Sequence, residues 1–312
     1  MLLGTNNPLK YISFKQSIFF NLCFVLAVLF IYLYLYRKLM PADIESFNQK
    51  EPFELKVNDQ IYDDTFIELY DSLHNVKKRC SNELFQVLKI TQPSNNSVFL
   101  DIGSGTGYAV HELNQAGYTA YGLENSHLMI SYSNNLYPNS HIEKGTALDS
   151  MAFDKSTFTH IMCNYFTIYQ FGDKSTFFRN CYFWLKPNGY LVLHLVDKEK
   201  FTKMIPHDTH EEVSETNTHR IVENNTIFKD FKYTANVKIP KNKTNKNVEV
   251  IETFTESSTK HIRQNETHLT MESIDQILTC AQTNGFIIHA KVNMSNMNND
   301  QNQYLYFLER TL

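Results

Sequence analysis

The chain has 312 residues, of which 42% are hydrophobic and 20% are charged, and this composition excludes a wholly disordered protein. Its 29 basic and 33 acidic residues leave a formal net charge of -4, so no nucleic-acid partner is expected. The five cysteines are scattered and odd in number, which predicts a reducing compartment rather than a disulfide framework.

The first predicted element is a transmembrane helix at residues 18–36. This stretch carries no charge, and at about 1.5 Å per helical residue it would be about 29 Å long, close to the hydrocarbon thickness of a bilayer. Arg37 and Lys38 follow it directly, which favours an uncleaved anchor over a cleaved signal peptide. Lys10 and Lys15 on the other side leave the orientation undecided by charge. The free cysteines favour a single-pass membrane protein whose catalytic domain lies in the cytosol.

The rest of the chain is predicted to be one domain. Residues 1–40 form the N-terminal segment, residues 41–58 are polar and mixed in charge as in a linker, and residues 59–312 form the domain. Apolar residues between 61 and 90 recur at spacings of three and four, which predicts a pair of amphipathic helices. Tyr62 and Tyr70 there are candidates to close over a ligand, although an aromatic stripe at helical spacing is more often core.

From residue 97 onwards strands and helices are predicted to alternate. The predicted strands are residues 98–100, 120–123, 140–143, 158–164 and 190–196, and the predicted helices are residues 108–116, 126–136 and 176–185. This alternation predicts an α/β fold with a doubly wound parallel sheet, whose ligands bind at the carboxyl ends of the strands. Residues 207–271 alternate as antiparallel strands do, and a helix at 272–284 and strands at 286–294 and 304–308 follow.

A glycine cluster directly after the first strand is the strongest functional signal. Gly103, Gly105 and Gly107 allow the backbone to turn sharply and to approach a ligand closely. Glu124, at the end of the second strand, can accept hydrogen bonds from the ribose hydroxyls of an adenosine-containing ligand. Asp101 would repel the pyrophosphate of a dinucleotide but suits the cationic amino group and sulfonium of S-adenosylmethionine. A nicotinamide oxidoreductase is therefore disfavoured.

These motifs resemble those of the class I S-adenosylmethionine-dependent methyltransferases. The likeness rests on VFLDIGSGTG at 98–107, GLEN at 122–125, IEKGTALD at 142–149, IMCNYF at 161–166 and LKPNGYLVL at 185–193. The resemblance implies a Rossmann-like seven-stranded sheet that the two last, antiparallel strands complete. It also implies S-adenosylmethionine as the cofactor, and the β insertion at 207–271 resembles the lids of methyltransferases that act on small molecules.

The resemblance assigns nine residues to cofactor binding. The residues expected to hold the methionyl part are Asp101, Gly103, Ser104, Gly105 and Gly107. Glu124 is expected to bind the ribose and Asn125 to lie along the adenosine, with Thr146 and Ala147 beside the adenine. The family often has Asp where Thr146 stands, and Asp149 is the alternative acceptor for the adenine amino group.

Methyl transfer asks mainly for positioning, because the sulfonium methyl is already electrophilic and the site has to align the acceptor and exclude water. Asn164, Tyr165 and His194 are the predicted catalytic residues, with Tyr169 as a further candidate. His194 lies in an apolar strand, where a core histidine is the commoner outcome. Arg263 in the β insertion is a candidate for pairing with an anionic substrate, although a solvated charge is the commoner interpretation.

The predicted function is a membrane-anchored methyltransferase acting at nitrogen or oxygen of a small-molecule or lipid-like acceptor. The alternative is a catalytically inactive, membrane-tethered binding module with the same fold. A Pro-Cys nucleophile or an (Asp/Asn)-Pro-Pro-(Tyr/Phe) loop is absent from the fourth strand's end, which disfavours methylation of DNA bases. No metal is expected, because the residues with ligand-like spacing lie in a polar loop without cysteines: His207, His210, Glu211 and His219.

Overall fold

The computed structural model describes residues 21–32, 51–207, 209–295 and 300–311. The chain divides into two compact units, Met1–Asp43 and Ile44–Leu312. In the first unit the structure describes residues 21–32, which are helical and are labelled α1. No helix within the described ranges has the length and hydropathy needed to cross a membrane. The predicted transmembrane helix is thus not supported, and its span of 18–36 extends outside the described residues on both sides.

The second unit alternates helices and strands. Its α-helices are α2 (Asp64–Leu73), α3 (Val76–Thr91), α4 (Tyr108–Gln115), α5 (His127–Leu136), α6 (Lys174–Trp184) and α7 (Ile274–Thr283), and two short 3-10 helices lie at Asn58–Ile61 and Thr167–Gln170. Its strands are β1 (Phe53–Val57), β2 (Val98–Ile102), β3 (Thr119–Glu124), β4 (His141–Lys144), β5 (Phe158–Cys163), β6 (Leu185–Val196), β7 (His210–Glu215), β8 (His219–Ile227), β9 (Phe231–Pro240), β10 (Asn247–Glu256), β11 (Ile262–Thr270), β12 (Phe286–Asn293) and β13 (Gln303–Arg310).

Seven of these strands form the first sheet, in the order β12-β13-β6-β5-β2-β3-β4. Strands β2 to β6 pair in parallel, whereas β13 is antiparallel to both of its neighbours. Adjacent residues of β2 pack on opposite faces: Phe99 contacts the apolar cluster of α3 and α4, and Leu100 joins that of α6 and α7. The predicted α/β fold with a seven-stranded sheet is confirmed, because helices pack on both faces of the sheet.

The second sheet has the strand order β1-β11-β10-β9-β8-β7. Strands β7 to β11 are antiparallel neighbours that lie between β6 and α7 in the chain. Strand β1 pairs in parallel with β11, so part of the predicted linker at 41–58 is a strand, while 41–50 lie outside the described residues. Its side chains are exposed or half-buried at the sheet edge, where the charged Glu54 and Lys56 alternate with apolar residues.

Arg263 on β11 joins the second sheet to the residues at the beginning of α2 by hydrogen bonds and an ion pair. Its guanidinium is 1% exposed, donates to both Asp63 carboxylate oxygens at 3.0 and 2.8 Å, and donates to the Ile61 carbonyl at 3.0 Å. Asp63 also caps α2 by accepting from the Phe66 backbone N–H at 3.0 Å. Both expectations for Arg263, a substrate partner and a solvated charge, are therefore wrong. Its ion-pair partner lies 200 residues away in sequence, where no local pattern indicates it.

Candidate active site

A cavity of about 780 Å³ opens at the carboxyl ends of β2 to β5, within the size range of about 300–1,000 Å³ that is typical of ligand pockets. Both sheets contribute to its wall, with Glu124 from the first sheet and Glu252 from the second. A smaller cavity of about 40 Å³ lies next to it. Five residues line both cavities and mark the boundary between them: Tyr70, Gly103, Gly105, Tyr165 and Thr167.

Two of the three clustered glycines line the cavities. Gly103 and Gly105 have φ angles of +70° and +53°, in the left-handed region that favours glycine, and a Cβ at Gly103 would lie 2.5 Å from Thr167 Cγ2. Gly107 has a φ of +80° and lines neither cavity. A Cβ on Gly107 would overlap the Ser133 side chain of α5. Gly107 thus allows the loop to pack against α5, and its predicted contact with the cofactor is not supported.

The Glu124 carboxylate organises the loops around it. Its Oε1 accepts from the backbone N–H groups of Asn125 and Ser126 and its Oε2 from that of Gly105, each at 2.9 Å. Burial raises the pKa of Glu124, although these three donors oppose the shift. A carboxylate has about four lone-pair positions, so one position on Oε2 is left for a ribose hydroxyl.

Asp101 lines the smaller cavity rather than the larger one. Side chains alternate along β2, so Asp101 lies on the same face as Phe99, beneath α3. On α3, Arg79 Nη1 donates to both Glu83 carboxylate oxygens at 3.1 and 3.2 Å. Burial and the neighbouring charge of Glu83 raise the pKa of Asp101 to about 7. A bound cation would stabilise the ionised form of this carboxylate.

Three polar side-chain atoms of residues at the smaller cavity have no hydrogen-bond partner among the described residues. They are Arg79 Nε, Ser104 Oγ and Asn164 Oδ1, and all three are buried. Buried polar atoms are normally paired, so these atoms are available to a ligand. With Asp101 as an anion and Arg79 as a cation, the cavity fits the amino and carboxylate groups of the methionyl part of S-adenosylmethionine. Asn164 therefore lies on the cofactor side of the site.

The predicted adenosine residues line the larger cavity. Asn125, Thr146 and Ala147 all contribute to its wall. Asp149 lines neither cavity, and its carboxylate accepts from the Met151 backbone N–H at 2.9 Å, within its own turn. The structure thus excludes Asp149 as the alternative acceptor for the adenine amino group and leaves Thr146 at that position.

His194 lies in the core. The Phe166 backbone N–H donates to its Nδ1 at 3.3 Å, and its Nε2 lies 3.1 Å from Gln303 Oε1. Burial lowers the pKa of His194 to about 3, and the ring lines neither cavity. The predicted catalytic role of His194 is contradicted for these reasons. Tyr169 is likewise buried away from both cavities, with its hydroxyl accepting from the Val196 backbone N–H at 2.9 Å.

Tyr165 separates the two cavities. Its hydroxyl donates to the Met204 carbonyl at 3.0 Å and lies 2.8 Å from His74 Nδ1. The Arg79 guanidinium lies 3.9 Å from the centre of the Tyr165 ring. Burial raises the pKa of the Tyr165 hydroxyl. These contacts fit a wall residue that positions its neighbours better than a proton acceptor.

Several lining residues were not singled out from the sequence. Arg79 and Glu83 stand four apart on α3, a spacing that is typical of helical ion pairs and was available as a signal. Glu252 occupies an inward position of β10 between Val250 and Phe254, where a charge on an apolar face was the available signal. Tyr62 and Tyr70, noted as alternatives, also line the larger cavity.

The residues with ligand-like spacing do not form a metal centre. Among the described residues, no group of three or more His, Cys, Asp and Glu side chains is placed to hold a metal ion. Glu211 instead pairs with Lys203, with 2.9 Å between their charged atoms.

Comparisons with known proteins agree with this geometry. Residues 100–193 match the family described as a methyltransferase domain, whereas no curated protein sequence matches the chain. The fold is similar to that of an S-adenosylmethionine-dependent methyltransferase from Clostridium acetobutylicum, at 13% identity over 79% of this chain and 98% of that chain, with a TM-score of 0.56. For the CcbJ methyltransferase from Streptomyces caelestis, the identity is 12% over 82% of this chain and 100% of that chain, with a TM-score of 0.59.

A sugar N-methyltransferase, KedS8 from Streptoalloteichus, is also similar, at 15% identity over 80% of this chain and 92% of that chain, with a TM-score of 0.51. At these identities the likeness concerns the fold, and the match at 100–193 covers the strands that carry Asp101, the glycine loop and Glu124. Residues 100–193 therefore match the methyltransferase-domain family, and the chain has the fold of S-adenosylmethionine-dependent methyltransferases.

Proposed function

We propose that this chain is an S-adenosylmethionine-dependent methyltransferase that transfers the methyl group to the nitrogen atom of a small-molecule amine. The observation that carries the proposal is the charge of the larger cavity. Three carboxylates line it, those of Asp59, Glu124 and Glu252, and none of the described lining residues is Lys or Arg. A carboxylate or phosphate acceptor would therefore lack a counter-charge, whereas an ammonium group is attracted.

Aromatic rings add to this preference. Six aromatic side chains line the same cavity, namely Tyr62, Phe66, Tyr70, Tyr165, Phe166 and Phe171. The faces of such rings attract cations, and their apolar surface keeps water away from the reacting groups. Rings and carboxylates together form the environment in which proteins bind amines.

A hydroxyl acceptor is less well served. An alcohol has to lose a proton that is far less acidic than that of an ammonium group, and a carboxylate of the cavity is too weak a base for it; His74 is the buried histidine that lines the cavity. Burial and the charge of Arg79 lower the pKa of His74 to about 3, which makes its ring a weak base. An amine needs no such base once it is neutral. The similarity in fold to a sugar N-methyltransferase is compatible with an acceptor of this kind.

The test compares acceptors that differ only in the reacting group. Benzylamine, benzyl alcohol and benzoate would be offered, within a panel of amines with their alcohol and acid analogues, to the full chain with S-adenosylmethionine. We expect the amines to be methylated with a kcat/KM at least about tenfold above that of the alcohols, because 1.4 kcal/mol of transition-state preference corresponds to that ratio. The Glu124→Ala variant supplies the background. Faster methylation of the alcohols, or no turnover with any amine, contradicts the proposal.

A lipid headgroup amine has the same chemistry as a soluble amine, so the test has a second arm. Ethanolamine in solution is compared with vesicles of phosphatidylethanolamine, and we expect the soluble amine to be preferred. Preference for the vesicles would place the acceptor in the bilayer and contradict a soluble substrate.

We also propose that the chain is attached to a membrane, from the uncharged residues 18–36, with its catalytic domain in the cytosol, from the five scattered cysteines. Fractionation of expressing cells tests this, together with protease protection. We expect the chain in the carbonate-washed membrane fraction and its C-terminus accessible from the cytosol. Recovery in the supernatant contradicts the attachment.

A further inference from the structure

Glu252 is a buried carboxylate on the second sheet, and it lines the larger cavity. It is 9% exposed and lies between the buried side chains of Val250 and Phe254 on the inward face of β10. A charge at such a position is unfavourable unless a partner compensates it. The wall that the second sheet contributes thus has an ionisable group where packing alone would favour an apolar one.

The partners of Glu252 within the described residues do not neutralise it. The Tyr233 hydroxyl donates to its Oε1 at 2.6 Å. Arg263, the cation nearest in the sheet, directs its N–H groups to Asp63, the Ile61 carbonyl and Asn265. No ion pair joins Glu252 to a Lys, Arg or His of the described residues. This carboxylate therefore has capacity left for a cationic ligand.

The charged and titratable groups around Glu252 come from three directions. They are Tyr233 on β9, Arg263 on β11, and Tyr62 and Tyr165 across the cavity. Burial raises the pKa of Glu252, although the Tyr233 hydroxyl, the Asn265 side-chain amide and the charge of Arg263 oppose the shift. A carboxylate of this kind is a better proton acceptor than an exposed glutamate.

We propose that Glu252 binds the ammonium group of the acceptor and removes one proton from it, an inference that rests on the proposed amine acceptor. The freed lone pair on nitrogen forms the new N–C bond while the C–S bond of the sulfonium breaks, and sulfur keeps that electron pair as a neutral thioether. The methylated nitrogen leaves as an ammonium ion. The proton on Glu252 passes to solvent when the product departs.

The other carboxylates are less suited to this role. Glu124 already accepts from three backbone N–H groups, and its remaining position is assigned to the ribose. Asp59 is exposed, so water screens its charge. Asp101 lines the smaller cavity with the methionyl-binding groups. Glu252 is thus the buried carboxylate of the larger cavity that can still accept a hydrogen bond from the acceptor.

The experiment compares Glu252→Gln with Glu249→Gln in the full chain. Glu249 lies on the same strand but on the opposite face, where it pairs with Lys238 at 2.9 Å. Calorimetry measures the binding of S-adenosylhomocysteine and then of benzylamine to the loaded protein. For Glu252→Gln we expect S-adenosylhomocysteine affinity within about twofold of the parent, benzylamine affinity at least about tenfold weaker, and loss of the acidic limb of the kcat/KM profile. Glu249→Gln should match the parent throughout.

A second variant separates chemistry from structure. Tyr233→Phe removes the donor that lowers the pKa of Glu252, so the acidic limb should move to higher pH while benzylamine still binds. If Glu252→Gln misfolds and no longer binds S-adenosylhomocysteine, the proposal is tested by Tyr233→Phe alone. A shift of its acidic limb to higher pH supports the role of Glu252. Unchanged benzylamine binding in Glu252→Gln, or an unmoved limb in Tyr233→Phe, overturns the role of Glu252. A parent enzyme that methylates alcohols but no amines overturns the proposed function instead.

Discussion

Glu124 and Glu252 both line the larger cavity, yet they are held in opposite ways. Three backbone N–H groups of the first sheet's loops bind the Glu124 carboxylate, whereas the Tyr233 hydroxyl is the partner of Glu252 at hydrogen-bond distance. Backbone donors cannot rotate away, so Glu124 is fixed in one orientation for one ligand. Glu252 can still accept a hydrogen bond from the ammonium group of the proposed acceptor. The first sheet therefore has the features of a cofactor site and the second those of an acceptor site.

The largest expected effect is that of replacing Glu124, the carboxylate held by backbone donors. In Glu124→Ala the ribose contact is lost and three backbone N–H groups lose their acceptor. Hydrogen bonds to charged groups contribute about 1.5–3 kcal/mol each, so we expect S-adenosylhomocysteine to bind about 100-fold more weakly by calorimetry. Glu143→Ala, an exposed acid on β4 that lines neither cavity, is the control. Equal affinities in the two variants would show that Glu124 does not hold the cofactor.

The second prediction concerns the attachment of the second sheet. Arg263→Met removes the buried guanidinium that joins β11 to Asp63 and the Ile61 carbonyl. Breaking a buried ion pair costs about 3–5 kcal/mol, and the low end applies because Asp63 is partly exposed and also contacts Lys56. We expect the free energy of unfolding in urea to fall by about 3 kcal/mol. Lys238→Met, at an exposed pair, should lower it by less than about 1 kcal/mol, and equal losses would contradict the role of Arg263.

Asp101 gives a prediction about pH. Its folded pKa of about 7 lies above its unfolded value, and binding of the cationic methionyl amino group requires the ionised form. The affinity for S-adenosylmethionine should therefore rise about tenfold between pH 6 and pH 8 and be nearly flat in Asp101→Asn. Calorimetry at both pH values measures this. A flat profile for the parent would contradict the placement of the amino group beside Asp101.

The same group predicts an opposite effect on stability. A carboxyl whose pKa is raised by folding stabilises the protein below its unfolded pKa of about 4, and this contribution is lost as the pH rises towards about 7. At pH 8 without cofactor, Asp101→Asn should unfold at a higher urea concentration than the parent. Lower stability of the variant would mean that the ionised Asp101 is favourably paired in the free enzyme.

The smallest expected effect lies at the adenine end. Thr146→Ala removes one neutral hydroxyl from the cavity wall, and a neutral hydrogen bond contributes about 0.5–1.5 kcal/mol. We expect the affinity for S-adenosylhomocysteine to fall about threefold in calorimetry. A loss as large as that of Glu124→Ala would show that the adenine end, rather than the ribose end, carries the binding.

The cofactor half of the site was predictable because its causes are local. Glycines at positive φ, an acid at a strand end and the alternation of strands and helices are all written within a few neighbouring residues. Even there, Gly107 shows a limit: its glycine is required by packing against Ser133 of α5, and no local pattern distinguishes that from a ligand contact.

The acceptor half depended on contacts between distant parts of the chain. Arg263 and Asp63 meet across 200 residues, and His194 is removed from the site by its contacts with Phe166 and Gln303. Hydrophobic periodicity and turn residues act locally, so the sequence by itself determined the fold class, the glycine loop and the place of Glu124. Burial and pairing depend on which surfaces pack together, so only the tertiary structure decided that Glu252 faces the larger cavity without an ion-pair partner among the described residues.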